Sequence, residues 1–331
     1  MKIIDLHCDT LMKSYVMGRD DIWELSGAML DVRRMEKAGY MAQVFAVFMP
    51  PEDTQKELSA ENPFSDQAYI ESCFKTFRNT LALHSGTIAP VLSADDLKSN
   101  ERAGKMSAIT AFEDGRPIDG KIENLEKYYR EGIRLITLTW NFENCFGYPN
   151  SEDPSIMTKG LKPFGKEAVE RMNELGIVVD VSHLSDGGFR DVASISKKPF
   201  VASHSNCRAL SPHCRNLTDD MIRALADSGG VAGLNFAPQF LNRDIQSKES
   251  SAVLISAHAS HLVNAGGAEC VALGSDLDGI EGVIETDSAD KMNLLTAQFE
   301  RDGFSGELIE KITWKNALRV LGENLRKTNN S

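Results

Sequence analysis

The sequence predicts an α/β fold: a TIM-type (β/α)8 barrel with insertions after the first and second strands. Three observations lead there. Eight short runs of apolar or β-branched residues recur along the 331-residue chain. They are continuous rather than alternating, as expected of parallel strands buried on both faces. Amphipathic stretches that stop at glycine separate many of them, which is the βα repeat. Finally, histidines and acids gather at the ends of the runs, and in a barrel those ends converge on one mouth.

The first strand is read at 2–6 and is followed by an insertion over 13–37. The second, 41–48, leads into a longer insertion over 50–100 with a helical middle at 66–83. The third strand is placed at 107–112. A helix over 122–131 follows, with Ile122, Leu125 and Tyr129 at helical spacing and Gly132 as its stop. The fourth strand spans 134–139. A helix over 165–175 ends at Gly176 before the fifth strand, 177–181. The sixth strand is 199–203. The helix at 217–226 has Thr218 as N-cap, Asp219 and Asp220 in its first turn, and Gly229-Gly230 as its end. The seventh strand is 230–236, a helix covers 252–263, and the eighth strand is 270–274. A closing helix with a polar, disordered tail begins at 306. No internal repeat interrupts this pattern, and one domain over 1–331 is expected.

Composition narrows the function. The chain is 42% hydrophobic and 25% charged, enough for a sizeable core. A net charge of −12 opposes nucleic-acid binding, which needs a basic face. The first residues lack the features of a signal peptide, and no apolar run approaches the roughly 18 residues of a membrane span. The six cysteines are scattered without a CxxC pair, so they are read as reduced thiols of a cytoplasmic protein.

The chemistry sits at the strand ends. The first strand runs into His7-Cys8-Asp9, the third into Glu113, the fifth into His183, and the sixth carries His204 near its end. His7 and Asp9 are two apart and share a face of an extended strand, with Cys8 on the other. Imidazole and carboxylate suit zinc, and also Mn²⁺ or Co²⁺. The two oxygens of Glu113 can bridge two ions that hold a hydroxide between them. Asp276, beyond the eighth strand, is either a proton shuttle to a leaving amine or part of the turn before Gly279. Arg215 either grips a substrate carboxylate or lies on the surface.

The remaining histidines read more plainly. His258 and His261 share a face of an outer helix, away from the mouth. His84 precedes a Ser-Gly turn and is assigned to the surface. His213, two residues before Arg215, is the one of these that can line the mouth. No Gly-rich phosphate loop follows a strand, and there is no GxSxG elbow.

Taken together, Asp5-Leu6-His7-Cys8-Asp9, Ala111-Phe112-Glu113-Asp114-Gly115, Leu135-Ile136-Thr137-Leu138-Thr139-Trp140-Asn141, Asp180-Val181-Ser182-His183-Leu184-Ser185, Ala202-Ser203-His204-Ser205, Arg215-Asn216 and Gly274-Ser275-Asp276-Leu277-Asp278-Gly279 resemble the membrane (renal) dipeptidase family of zinc peptidases. The blocks span most of the chain in family order. The resemblance implies a dipeptidase with two zinc ions, one on His7 and Asp9, the other on His183 and His204, bridged by Glu113. It further implies Asp276 as the proton-handling acid, Arg215 on the substrate carboxylate, tolerance of a D-residue at the second substrate position, and a homodimer. One position departs from the renal type. Where that type has a substrate-contacting histidine after the fourth strand, this chain has Trp140 followed by Asn141, which can donate hydrogen bonds to substrate but carry no charge. Two other functions stay open at this level: an amidohydrolase acting on N-acyl amino acids or lactams, and a non-catalytic metal-stabilised binding protein.

Overall fold

Strand β1 (Ile3–Cys8) is buried along its whole length, and so are β2 (Tyr40–Phe48) and β4 (Met106–Glu113) in the computed structural model, which describes residues 1–52, 54–55 and 65–327. The remaining strands are β3 (Ile88–Pro90), β5 (Ile133–Thr137), β6 (Val178–Asp180), β7 (Val201–Ala202), β8 (Val231–Leu234), β9 (Glu249–Ser250), β10 (Val271–Leu273) and β11 (Val283–Ile284). Parallel pairing runs β2-β1-β10-β8-β7-β6-β5-β4, and a seven-residue parallel register from Ala42↔Ser107 to Phe48↔Glu113 joins β2 to β4 and closes the barrel. Each of the eight sequence-read strands overlaps one of these.

The burial pattern follows from two apolar layers. Inside the barrel, Leu6, Val44, Ile109, Leu135, Val178 and Val231 pack together with Val320 and Leu321 of the C-terminal helix, Asn316–Asn324. Outside it, Phe112, Ile136 and Val179 meet Leu125, Val169 and Met172 of the surrounding helices. Each such side chain contributes roughly 1.5–3 kcal/mol by leaving water. Asn316 Nδ2 donates to the Ala268 and Val271 carbonyls, and Asn324 Nδ2 to that of Pro199. Those carbonyls lie at the N-terminal ends of β10 and β7, so the last helix plugs the bottom of the barrel and leaves the C-terminal mouth free.

The helix at Ile122–Glu131 ends at Gly132 as the sequence indicates, with φ 115° there. Thr218 caps Asp219–Asp227 by accepting from Met221 N. The last stretch is less regular than one helix: Gly306–Glu310 passes through a π turn at Lys311–Lys315 before Asn316–Asn324. The end of the tail, 328–331, lies outside the described residues.

Both insertions hold structure of their own. The first contains the helices Thr10–Val16 and Val32–Ala38. The second contains Asp66–Leu83, the strand β3 and Ala94–Arg102. Strand β3 escaped the sequence reading because three residues cannot register as a periodic run. It pairs with Met106–Ala108, on the edge of β4 that β5 takes over further along. Arg116, just past β4, clamps the second insertion by a two-pronged 2.9 Å pair with Asp66 and by donating to the Met49 and Pro50 carbonyls. Asp278 ties down the first, accepting from Thr10 Oγ1 and Met29 N, both at 2.6 Å. Among the described residues all six cysteines are free and no helix is long and apolar enough to cross a membrane.

Candidate metal centre

The mouth gathers the residues that the sequence singled out. His7, Asp9, Glu113, His183, His204, Asp276 and Arg215 are all buried, none more than 8% exposed. That overturns the reading of Arg215 as a surface arginine. His7 and Glu113 belong to β1 and β4. His183, His204 and Asp276 lie two or three residues past β6, β7 and β10, and Asp9 lies one past β1 with φ −104° and ψ 24°. Asp9 therefore meets His7 through the turn out of the strand, not through strand alternation as expected. Cys8 does face away, with Sγ 3.6 Å from the Val44 carbonyl. The turns are tight: His183 and Asp276 take φ 67° and 63°, as do their neighbours Asp114 at 77° and Asp278 at 71°. Such left-handed backbone is uncommon outside glycine.

Glu113 stands at the centre. Its Oε1 is 3.1 Å from His183 Nε2 and 3.3 Å from His204 Nε2, while its Oε2 is 3.3 Å from His7 Nε2. His7 Nε2 is also 3.5 Å from Asp9 Oδ2 and 3.8 Å from Asp276 Oδ1. The two carboxylate oxygens thus face two different sets of donors. His7, Glu113 and His204 offer ligand atoms within 4.8 Å of one another, and so do His7, Asp9 and Asp276. His7 Nε2 and Asp9 Oδ1 are buried yet make no hydrogen bond. Buried polar atoms ordinarily have partners, so these converging orphans fit a cation.

Further residues aim the ligands. Asp180 accepts from Ser182 N at 3.0 Å, Ser203 N at 2.8 Å, Thr137 Oγ1 at 2.6 Å and Ser203 Oγ at 2.6 Å. With its proton given to Asp180, Ser203 Oγ accepts from His204 Nδ1 at 2.7 Å. That leaves the His204 Nε2 lone pair toward Glu113 and the cation volume. His183 Nδ1 lies 2.9 Å from Asn141 Oδ1, which fixes the same tautomer there. Asp5 plays the matching part on the other side, accepting from His7 N and from Ser275 N and Oγ. Asn235 Nδ2 donates to Asp276 Oδ2 at 2.9 Å and to the His204 carbonyl at 3.2 Å. Gly279 must be glycine-sized, because a Cβ there would collide with the Asp9 and Asp276 carboxylates.

The electrostatics ask for positive charge. Burial, reinforced by Glu113, pushes the Asp9 carboxyl well above the usual carboxylate range. Burial also raises Asp276, to about 6, with His7 opposing it. Glu113 resists the same burial: His7 and the hydrogen bonds of His183 and His204 hold it well below its usual range. Burial opposes charge on His7, yet Glu113 and Asp9 raise it well above an ordinary imidazole. Burial and Arg215 lower His183 to about 3, and burial and His7 lower His204 as well, so both stay neutral ligands. Three carboxylates thus share the centre with one guanidinium and the His7 imidazole.

A cavity of about 470 Å³ opens over this centre, with Met12, Phe48 and Trp140 on its apolar side and Arg215 and His213 in its polar wall. Trp140 meets Phe48 edge-on at 5.0 Å and lies 6.0 Å from the His183 ring. Asn141 also lines the cavity, but its oxygen is committed to His183, which leaves only its amide NH₂ for a ligand. Arg215 donates to Ser205 Oγ and the His204 carbonyl, while its buried Nε has no partner. Asp278 serves the first insertion, and Asp276 does belong to the turn before Gly279, its carbonyl accepting from Gly279 N at 3.1 Å while its carboxylate faces His7. His258 and His261 do not form a pair: His258 bonds Cys207 N and the Leu241 carbonyl, and His261 lies 2.7 Å from Asp219. His84 is more than a surface residue, being stacked on Trp23 at 4.3 Å and 3.0 Å from Asp21.

A closed barrel whose mouth holds a buried histidine–carboxylate cluster defines a class, the metal-dependent hydrolases of this architecture. Within it the assignment is specific: the profile of the membrane dipeptidase family, peptidase family M19, matches residues 1–331, and the chain belongs to that family of metallopeptidases. It is 31% identical over 272 residues to dipeptidase tcpJ of Claviceps purpurea (strain 20.1), covering 80% of this chain and 63% of that protein. An uncharacterised protein from the pqqA 5′ region of Klebsiella pneumoniae is 34% identical over 251 residues, 74% of this chain and 92% of that one. The crystal structure of a metallopeptidase from Rhodobacter sphaeroides, liganded with a phosphinate mimic of the dipeptide L-Ala-D-Ala, superposes with a TM-score of 0.86 at 26% identity, covering 98% of this chain and 99% of that one. That of dipeptidase AC, a metallopeptidase, gives 0.87 at 26% identity with the same coverage.

Proposed function

We propose that the protein is a dinuclear dipeptidase, with His7 and Asp9 holding one divalent cation, His183 and His204 the other, and Glu113 shared between them. The observation that carries this reading is the split of Glu113, whose Oε2 faces His7 and whose Oε1 faces His183 and His204. Zinc suits these donors, as do Mn²⁺ and Co²⁺. When bound, the metal supplies the acidity that makes water a nucleophile at neutral pH. Asp276 takes the proton of the attacking water and delivers it to the amine as the C–N bond breaks; a carboxyl near pH 6 can do both. Arg215, a buried guanidinium with an unpartnered Nε and no ion pair among the described residues, receives the peptide's C-terminal carboxylate. Trp140 and the Asn141 amide border the bound peptide. The phosphinate complex of the Rhodobacter sphaeroides relative supports L-Ala-D-Ala as a first substrate to test, and with it a D-residue at the C-terminal position. The reading is of a one-domain cytoplasmic homodimer without nucleic-acid or membrane partners.

The test is an assay of zinc-loaded protein on L,L and L,D dipeptides beside N-acyl amino acids, with and without chelator. Chelator-sensitive cleavage of dipeptides is expected. No turnover of any dipeptide by protein that carries metal would refute the proposal, and preference for N-acyl amino acids would favour the other amidohydrolase reading.

A further inference from the structure

His213 is the one histidine at the mouth that no part of the centre uses. It lines the main cavity and also a second cavity of about 470 Å³ that continues outward past Gln239 and Lys248. Its ring is held on two sides. Nδ1 accepts from the backbone N–H of Arg215 at 3.1 Å, and the ring packs edge-on against Phe240 at 4.8 Å. Phe240 also lies under the Arg215 guanidinium, 5.2 Å from its ring centre. One aromatic side chain thus carries both groups.

This arrangement decides the tautomer. A neutral imidazole that accepts at Nδ1 carries its proton on Nε2. Burial and the nearby Arg215 and Arg208 push His213 down to about 4, so it is neutral at pH 7 and does not repel the guanidinium beside it. The Arg215 Nε–H is itself a buried donor without an acceptor. The Arg215 guanidinium and the His213 imidazole, one charged and one neutral, line the same cavity, and a carboxylate has two oxygens to meet them. Glu152, the acid in the same wall, is exposed to solvent.

We propose that His213 is the second half of a carboxylate clamp, its Nε2–H and the Arg215 guanidinium together binding the free C-terminal carboxylate of a short peptide. The inference rests on the dipeptidase reading. It makes His213 a specificity residue: it selects free acids over otherwise identical amides.

Two substitutions separate this role from a purely structural one. His213→Asn keeps an oxygen near the Nδ1 position to accept from Arg215 N–H but has nothing at Nε2. His213→Gln reaches the Nε2 position with an amide N–H. The probes are alanyl-alanine and its C-terminal amide, assayed with zinc-loaded protein, and the readout is the ratio of kcat/KM for acid over amide. His213→Asn is expected to lower that ratio about tenfold, chiefly through KM for the acid, as befits one hydrogen bond to a charged group. His213→Gln is expected to stay within about threefold of the unmutated protein. Equal losses on acid and amide, or equal behaviour of the two variants on the acid, would overturn the clamp and leave the dipeptidase reading standing. Absence of hydrolysis by the unmutated protein would overturn that reading and this inference with it.

Discussion

Replacing Asp180 with asparagine should weaken metal binding by reversing a chain of hydrogen bonds, without touching a ligand. The asparagine oxygen can keep the contacts to Ser182 N and Ser203 N, at 3.0 and 2.8 Å. Its NH₂ group then faces Thr137 Oγ1 and Ser203 Oγ, where Asp180 now accepts at 2.6 Å from each. Both hydroxyls must turn from donor to acceptor. The Ser203 proton turns toward His204 Nδ1, 2.7 Å away, and forces the imidazole proton onto Nε2. That nitrogen, 3.3 Å from Glu113 Oε1, is the one a cation needs. Loss of such a supporting partner typically lowers metal affinity about 10- to 100-fold, or roughly 1.4–2.8 kcal/mol. Competitive titration with a zinc-binding dye measures it, and circular dichroism shows that the fold persists. A double-mutant cycle makes the test specific: in a Ser203→Ala background the relay to His204 is already cut, so Asp180→Asn should add little. Affinity within about threefold of the unmutated protein, or the same loss in both backgrounds, would refute the relay.

Three other outcomes are expected. Asp276→Asn should retain its zinc, by metal analysis, while kcat falls about 10²- to 10⁴-fold; near-normal turnover would remove Asp276 from the proton path. Gly279→Ala should lower bound zinc as well as activity, because its methyl group meets the Asp9 and Asp276 carboxylates. Full metal content in that variant would show that the turn can give way. His258, on the helix Ala252–Gly266, should make stability pH-dependent. Burial holds it down to about 4 against an ordinary 6.5, so between those values the unfolded chain binds a proton that the folded one refuses. Its contribution is therefore complete above about pH 6.5 and is lost as pH falls toward 4, by roughly 3 kcal/mol. Urea unfolding at pH 7 and pH 4.5 should show a smaller acid loss in His258→Gln, and an identical loss would exclude His258 as the source.

The barrel was legible because parallel strands buried on both faces leave continuous apolar runs, and because His7, Glu113, His183 and His204 sit at or near their ends. What escaped was the support behind those ligands. Asp5 reaches Ser275 across 270 residues of sequence and Asn235 reaches Asp276 across 41. No local spacing announces such partners, although an asparagine just past β8, a strand otherwise apolar, was a usable signal for Asn235. Asp180 could have been noticed as a lone acid in an apolar run, but which hydroxyl it would command depends on the register of β6 against β7. Trp140 and Asn141 were read as a pair facing substrate. Both line the cavity, but the sequence did not show that Asn141 Oδ1 would be committed to His183 while the indole packs beside Phe48.

The left-handed turns at Asp114, His183, Asp276 and Asp278 bear on how this enzyme can be made hardier. A side chain in that conformation costs about 1–3 kcal/mol that glycine would not incur. The most accessible gains in thermal stability are therefore concentrated around the mouth. At His183 and Asp276 they are closed off, since relief of the backbone would delete a proposed ligand or the proposed proton carrier. At Asp278 it would release the Thr10 and Met29 anchors of the first insertion. Selection for endurance and selection for turnover thus act on the same few residues in opposite directions, and stabilising substitutions that survive both should accumulate in the outer helices and the plugged base.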